Sequence, residues 1–470
     1  MNAIWLAALI HAVFVFFLGY FLILLLFFLF LIIVGFIEEG KRTWESRVED
    51  YPLAYLSSFN IPVSIVMPAR NEEEWIRDSV SSMINLNYPE FEIIVVDDGS
   101  TDKTYQILDE LLGLKPVDMP YVKHYQDGLV KRILKSTKHP NVTVISKFAG
   151  NKKAGAANAG LNIAKYDYVC MIDADTVLEQ NALLKTMAHV IRRPERIIGV
   201  GSGFGLSNGL KVEDGRVVKY SFSFNPIVAY QNLEYIRSFI GNRIAWSRYN
   251  AMPNVAGGFG IWRRDVLYEI GGYSAEFTCE DLEITFRVHD YIAKNEKKDY
   301  KIIMLPYYVG WTEGPSNISS LISQRDRWQR VVNETVHDYK YMIFNPKYKG
   351  FAFLTLPYYF LYEVWGVFFE IVSVIFVAVG YATKTLDLKM FLAFMCFMIL
   401  SQTLVSLLSL LVFVRGQKAF RFGYICYLVL LGCLESFLYR WIISFAKVLG
   451  TYHYLRKVRV FDRYARAKRA

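Results

Sequence analysis

The chain has 470 residues, 53% of them apolar, and a formal net charge of +9. Its mean hydropathy is positive, which excludes an ordinary soluble protein, and its five cysteines lack metal-ligand spacing, which excludes a zinc module or a disulfide scaffold. Cys170, Cys279, Cys396, Cys426 and Cys433 are expected to be reduced, packed thiols.

From Ala3 to Ile37 there is no Asp, Glu, Lys or Arg, and the run ends in Glu38, Glu39, Lys41 and Arg42. About 20 apolar residues cross a bilayer core, so the stretch predicts a membrane helix. It has no basic leader or small-residue cleavage site and is too long for a signal-peptide core, so it is expected to be retained. Next, "PVSIVMPARNEE", "FEIIVVDDGSTDKT", "NVTVIS" and "YVCMIDADT" read as buried strands alternating with helices. That alternation predicts an α/β domain with a mostly parallel sheet, whose ligands bind beyond the carboxyl ends of the strands. Arg70, Glu72, Asp97, Asp98, Asp173 and Asp175 all fall at such ends. Residues 113–140 interrupt the alternation and read as a surface insertion.

Each charged motif has a plain structural reading beside a chemical one. Asp173 and Asp175 flank one residue, so both carboxylates can approach one hard cation; the plain alternative is a capped acidic turn. In "DDGSTD", Asp98 or Ser100 could simply cap the following helix. "NKKAGAANAG" sets Lys152 and Lys153 before small residues that admit a ligand, or else is a solvated lysine pair. Glu280 and Asp281 open a helix, where the helix dipole alone favours acids. Gly257 and Gly258 in "NVAGGFG" leave room for a close backbone contact, or mark a strand bulge. "QRDRW" puts Gln324 and Arg327 on one helical face, with Trp328 beside them; Arg327 offers a planar cationic fork and Trp328 a flat apolar face. Ile318, Leu321, Ile322, Val332 and Val336 form an apolar stripe that predicts a helix lying along the membrane surface. The plain reading is a basic interfacial helix anchored by its tryptophan.

Apolar spans recur at 352–381, 388–414 and 420–450, with Glu363, Glu370, Glu435 and Arg440 inside them. Intramembrane charges line a wet path or pair helix with helix. Basic flanks (Lys41, Arg42, Arg47; Lys347, Lys349) place the central domain in the cytoplasm by the positive-inside rule. The tail "LRKVRVFDRYARAKRA" suits anionic lipid headgroups rather than nucleic acid. One span before the domain and three after it would put that tail outside, against the same rule. Either 420–450 is broken or interfacial, or the span count differs.

Taken in order, "VVDDGSTD", "DAD", "ED" after "GGY", and "QRDRW" resemble the membrane-embedded, processive branch of the family 2 glycosyltransferases. That branch has the GT-A fold, inverts the anomeric centre, and includes cellulose, hyaluronan, chitin-oligosaccharide and poly-N-acetylglucosamine synthases. The resemblance spans Pro62 to Trp328. It implies a membrane helix over 1–40, a GT-A domain over 41–315, an interfacial helical region with the Gln-x-x-Arg-Trp motif over 316–350, membrane spans within 351–454 and a basic tail over 455–470. It further implies that Arg70, Glu72, Asp97, Asp98, Lys153, Gln324 and Arg327 hold a UDP-sugar. Asp173 and Asp175 would bind Mg²⁺ or Mn²⁺, Asp281 would be the general base beside Glu280, and Trp328, Gly257 and Gly258 would receive the saccharide acceptor. The branch often has Thr before Glu-Asp, where this chain has Cys279. The implied product is a β-linked polysaccharide made at the cell membrane, with translocation coupled to synthesis. The alternatives are a glycolipid synthase and a non-catalytic membrane receptor or secretion partner on the same fold.

Overall fold

The computed structural model describes residues 2–48, 60–150, 152–219, 222–416 and 421–458. Residues 459–470 of the basic tail and the side chains of Arg42 and Arg47 lie outside the described set.

Among the described residues twelve strands form: β1 Val63–Ala69, β2 Phe91–Asp97, β3 Leu114–Pro116, β4 Val130–Ser136, β5 Val142–Lys147, β6 Tyr168–Ile172, β7 Thr176–Leu178, β8 Ile197–Leu206, β9 Lys211–Glu213, β10 Arg216–Lys219, β11 Phe259–Arg263 and β12 Lys301–Thr312. Ten of them make one sheet in the order β3-β4-β5-β2-β1-β6-β11-β8-β12-β7. Its centre, β5-β2-β1-β6, is parallel, and every residue of β1 and β6 is buried. Continuous apolar runs without alternation belong to strands covered on both faces. Antiparallel strands are added on both sides of this centre. Residues 113–140 are therefore not wholly a surface insertion. They contribute β3 and β4 to the sheet edge, and the chain between them is pinned by buried Asp127, which accepts from Tyr121 and from Asn162 (3.0 Å).

Register aligns the strand ends. Ala69 pairs with Asp97 and Asp97 with Ser146, so Arg70, Asp98 and Lys147 follow at one level. Val66 pairs with Met171, and β6 ends one residue later at Ile172, so the turn that carries Asp173 and Asp175 opens at the same edge. Neighbouring strands are about 4.8 Å apart, so topology alone gathers these charges along one edge.

Two helices among the described residues are long and apolar enough to cross a membrane, Ala8–Lys41 and Leu388–Arg415. Two further pairs are bent, Phe351–Val364 with Gly366–Ala382 by 47° and Phe422–Leu434 with Tyr439–Leu455 by 63°. The stretches 352–381 and 420–450 are therefore not straight spans. The second breaks at Glu435, whose carboxylate is bound by Arg237 at 3.0 Å. The other acids of these apolar stretches are also paired: Glu370 with Arg440 at 2.7 Å and Glu363 with Lys447 at 2.8 Å.

The Ile318–Asp338 helix differs from its expected setting. Leu321 and Val336 are buried, but so are Gln324, Asp326, Gln329, Arg330 and Asn333, while Ile318 is exposed. Its polar face packs on Tyr439–Leu455, where Asp326 meets His453 (3.0 Å) and Asn333 donates to Thr451 (3.1 Å). Gly450 permits the approach, since a Cβ there would stand 2.6 Å from the Asp326 carbonyl oxygen. Buried polar groups are tolerated when hydrogen-bonded, and these are.

Candidate active site

At the ends of β1 and β2 the chain makes two tight turns. Asn71 is left-handed (φ 53°) and its N–H donates to Ser100 Oγ (3.0 Å). Gly99 is also left-handed (φ +68°), and a Cβ there would lie 2.5 Å from the Ala149 nitrogen, so only glycine fits. Asp97 accepts the Ser100 N–H at 3.0 Å, a local role that leaves its second oxygen for other partners. Glu72 is buried, with its N–H donated to Thr104 Oγ1 (2.7 Å). Asp98 forms an enclosed ion pair with Lys147 at 3.0 Å. Burial raises the Asp98 pKa, against the pull of Lys147 and Arg70. The sequence reading missed Lys147; the available signal was a single cation closing the apolar run "NVTVISK", level with Asp98.

Lys153, in the first turn of the Lys152–Ile163 helix, joins two motifs. Its Nζ lies 2.5 Å from Asp173 Oδ1 and 2.5 Å from Glu280 Oε1. Burial opposes its charge, but Asp173 and Glu280 outweigh that and hold its pKa well above the ordinary lysine value. Glu280 and Asp281, adjacent in the first turn of Glu280–Lys294, are thus used differently. Glu280 is spent on Lys153, whereas Asp281 accepts N–H groups from Gly257 (3.1 Å) and Leu282 (2.8 Å). Two fixed donors orient the Asp281 carboxylate without neutralising it. A Cβ on Gly257 would come within 3.1 Å of Lys153 Nζ and 3.6 Å of Glu280 Oε1. A Cβ on Gly258 would instead meet Phe204 at 3.4 Å, so that glycine is not brought to the cluster. Lys153, Gly257, Tyr273, Glu280 and Asp281 line one pocket.

Asp173 is partly exposed, while Asp175 is buried and accepts from Thr312 Oγ1 at 3.2 Å. No cluster of three or more His, Cys, Asp or Glu side chains that could hold a metal occurs among the described residues. Two carboxylates suit a Mg²⁺ or Mn²⁺ that completes its shell with substrate phosphate oxygens. The Lys153 ammonium against Asp173 shows that this carboxylate already faces a cation. The donor set fits.

In "QRDRW", the cation over the aromatic face is Arg325, centred 4.2 Å above the Trp328 ring. Arg325 also pairs with Glu234 and donates to buried Gln324 (2.7 Å), and Glu234 accepts the Tyr439 hydroxyl at 2.8 Å. Trp328 keeps 38% of its surface exposed. Arg327 acts electrostatically on Cys279, whose thiol burial pushes up to about 12 while Arg327 pulls it down. Arg327 therefore stands near the residue that precedes Glu280 and Asp281. Glu334 accepts both the Thr278 N–H (2.7 Å) and its hydroxyl (2.6 Å), which ties the two helices together. Arg325 could have been read from its i, i+3 spacing to Trp328; Glu334 gave no such signal.

The family described as glycosyl transferase family 2 matches residues 64–271, and glycosyl transferase family group 2 matches residues 168–443. A probable glycosyltransferase of Bacillus subtilis, YdaM, is 27% identical over 347 residues, covering 72% of this chain and 70% of its own. The poly-β-1,6-N-acetyl-D-glucosamine synthase of Staphylococcus epidermidis is 26% identical over 275 residues, covering 58% of this chain. The match spans only 55% of that relative's length. Among solved structures, a Pyrobaculum calidifontis mannosyltransferase in complex with GDP-Man and Mn²⁺ is similar in fold. It has a TM-score of 0.52 and 15% identity over 93% of this chain and 99% of its own.

Proposed function

We propose a specific reaction for this chain, which belongs to glycosyl transferase family group 2 and carries a GT-A domain: inverting transfer of a sugar from a UDP-sugar to the hydroxyl of a growing β-linked polysaccharide. The observation that carries this reading is the Asp173–Lys153–Glu280 chain of contacts ending beside an oriented Asp281. It links the strand ends, where a nucleotide would lie, to a carboxylate that can take a proton.

In this reading Arg70, Glu72, Asp97 and Asp98 bind the nucleoside, and Lys147 holds Asp98. Asp173 and Asp175 would hold a Mg²⁺ or Mn²⁺, which would supply positive charge against the leaving diphosphate. Arg327 adds fixed positive charge where the diphosphate departs, with Gln324 and Arg325 bracing its helix. Asp281 accepts the proton from the acceptor hydroxyl. Its two backbone donors fix it in place, and Lys153 keeps Glu280 engaged so that the neighbour does not compete. A single displacement inverts the anomeric carbon without a covalent nucleophile. Trp328, with one face covered by Arg325, offers the other to the acceptor sugar. Gly257 keeps that side of Asp281 open, whereas Gly258 faces Phe204 and takes no part in the acceptor side.

A polymeric product is favoured over a glycolipid by the relative that is named as a polysaccharide synthase. Its name also makes UDP-N-acetylglucosamine the first donor to try. We place the catalytic domain on the cytoplasmic face of a cell membrane, by the basic flanks around it. Export along the membrane helices belongs to the same proposal. It is supported by the 2.9 Å hydrogen bond from Gln329 to the Glu363 carbonyl, which joins the Ile318–Asp338 helix to the first bent pair.

The test is the full chain in detergent with UDP-N-acetylglucosamine, UDP-glucose, UDP-galactose or GDP-mannose and Mg²⁺ or Mn²⁺, followed by nucleotide release and product sizing. A polymer with UDP release supports the reading. One sugar on a lipid supports the glycolipid alternative, turnover of GDP-mannose alone revises the donor, and nucleotide binding without release points to a non-catalytic protein.

A further inference from the structure

The segment Ile236–Arg243 winds as a π-helix, a rare form that is often found at functional sites. It is wedged between membrane helices. A Cβ on Gly35 would stand 2.8 Å from the Gly241 carbonyl oxygen, and one on Gly241 would stand 2.7 Å from Ser409 Oγ. Arg243 closes this segment, its guanidinium centred 4.5 Å over the Phe239 ring. Its Nη1 is buried without a hydrogen-bond partner, and no carboxylate forms a salt bridge with it among the described residues. Leaving a buried donor unsatisfied costs about 1–3 kcal/mol, and more for a charged group. Such groups call for an explanation.

The surroundings supply one. Burial lowers the Arg243 pKa, and the groups that oppose this are Tyr359, Asp281 and Tyr235. The same residue therefore feels the carboxylate assigned as base and a tyrosine of the first bent membrane pair. Asn254, three residues before the Gly257 that holds Asp281, also has a buried side-chain oxygen without a partner. Packing ties both residues to the Asp281 turn: the Phe239 ring under Arg243 meets Phe204 at 5.7 Å, which Gly258 faces, and Val255, next to Asn254, donates to Thr285 Oγ1, which in turn donates to the Asp281 carbonyl oxygen (2.9 Å). An unpaired donor and an unpaired acceptor on these two links suit a neutral saccharide, whose hydroxyl or amide groups can accept from one and donate to the other. They suit a diphosphate poorly, because Asp281 and the Asn254 oxygen would repel it.

We propose that Arg243 and Asn254 form an acceptor subsite, in which the Arg243 guanidinium donates to an oxygen of the saccharide whose hydroxyl faces Asp281. This rests on the transfer reading above and adds residues to its acceptor side. The test uses full-length R243M, R243K and N254A in detergent. Binding of UDP and of an N-acetylglucosamine pentasaccharide is measured by calorimetry, and donor and acceptor KM by initial rates. R243M is expected to weaken pentasaccharide binding by about tenfold, the loss of one charge-assisted hydrogen bond, and to raise acceptor KM while donor KM and UDP affinity hold. R243K should fall between, because it keeps the charge and loses the fork, and N254A should shift in the same direction. Unchanged pentasaccharide affinity in R243M overturns the proposal and leaves a cation packed on Phe239. Loss of UDP affinity in the folded variant also overturns it, as does a wild type that does not bind the pentasaccharide. A wild type that binds pentasaccharide but transfers no sugar removes the catalytic reading and leaves the subsite to be judged by the binding data.

Discussion

Replacing Lys147 with methionine removes a cation that almost nothing but Asp98 sees. Side-chain exposure is 1% for Lys147 and 5% for Asp98, with 3.0 Å between their charged atoms. Burial already raises the Asp98 pKa, and the ammonium only partly restores it. Breaking such a pair by removing one partner costs about 3–5 kcal/mol, because the other charge stays buried and uncompensated. At about 2–4 °C per kcal/mol for a domain of this size, the apparent melting temperature should fall by roughly 6–20 °C.

The loss also has a pH signature. A carboxyl whose folded pKa is raised binds its proton more tightly when folded, so its contribution is present below the unfolded value and lost as pH rises through the folded one. K147M raises that pKa further, so its deficit should be greatest near pH 8 and shrink as the pH falls toward about 4. The double variant K147M/D98N should regain part of the loss, since neither side then carries charge. Melting of the full chain in detergent, followed by tryptophan fluorescence at pH 5, 7 and 8, measures all three. A K147M melting point within about 2 °C of wild type at pH 8, or a gap that ignores pH, refutes the reasoning.

Asp281→Asn should keep UDP affinity near wild type by calorimetry and lower transfer by about 10²–10⁴-fold, the usual worth of a positioned base; lost UDP binding in a folded protein would make it a ligand instead. Asp175→Asn should abolish turnover, and a chelator should silence the wild type until Mg²⁺ or Mn²⁺ is restored; full activity of the variant would sink the metal assignment. Arg327→Ala should slow both sugar transfer and water hydrolysis of the donor by on the order of a hundredfold, read as UDP release with and without acceptor. Trp328→Ala should shorten the product on a sizing column while leaving donor hydrolysis in place, and normal product length would return the tryptophan to an anchoring role.

The parallel centre of the sheet was legible because its strands are short, β-branched and buried on both faces, and the acids that follow them break the apolar runs abruptly. Asp97, Asp98, Asp173 and Asp175 could be placed at strand ends for that reason. Their partners could not. Lys147 reaches Asp98 only because β5 lies beside β2, and Lys153 reaches Glu280 across 127 positions because both helices begin at the same edge. Strand β4, "VKRILKS", was hidden by its polar residues: near the sheet edge, covered outward only by three-residue β3, it leaves Lys131, Arg132 and Lys135 in water. That 420–450 could be broken was legible from the side on which a straight span would leave the basic tail, but the place of the 63° break before Tyr439 was not: the flanking residues stay apolar, and only the demand of Glu435 for Arg237 marks it.

The Ile318–Asp338 helix explains why membrane packing and the candidate site are one mechanical problem. Its buried polar residues are costly without partners: Asp326 and Asn333 find theirs on Tyr439–Leu455, Gln329 donates to the Glu363 carbonyl, and Arg330 pairs with Asp326 and donates to the Val458 carbonyl. On another part of its surface Arg325 covers Trp328 and is held by Glu234, which Tyr439 of the same membrane helix also grips. One turn after Arg330, Glu334 binds Thr278 by two hydrogen bonds, just before Cys279, Glu280 and Asp281. A shift of Tyr439–Leu455 therefore strains buried polar pairs before it moves apolar contacts. Polar pairs lose their energy over a few tenths of an ångström, whereas apolar packing is non-directional. That difference makes the polar face a position lock between Trp328 and Asp281, and it accounts for why a helix with an apolar stripe turns so much of its charge inward.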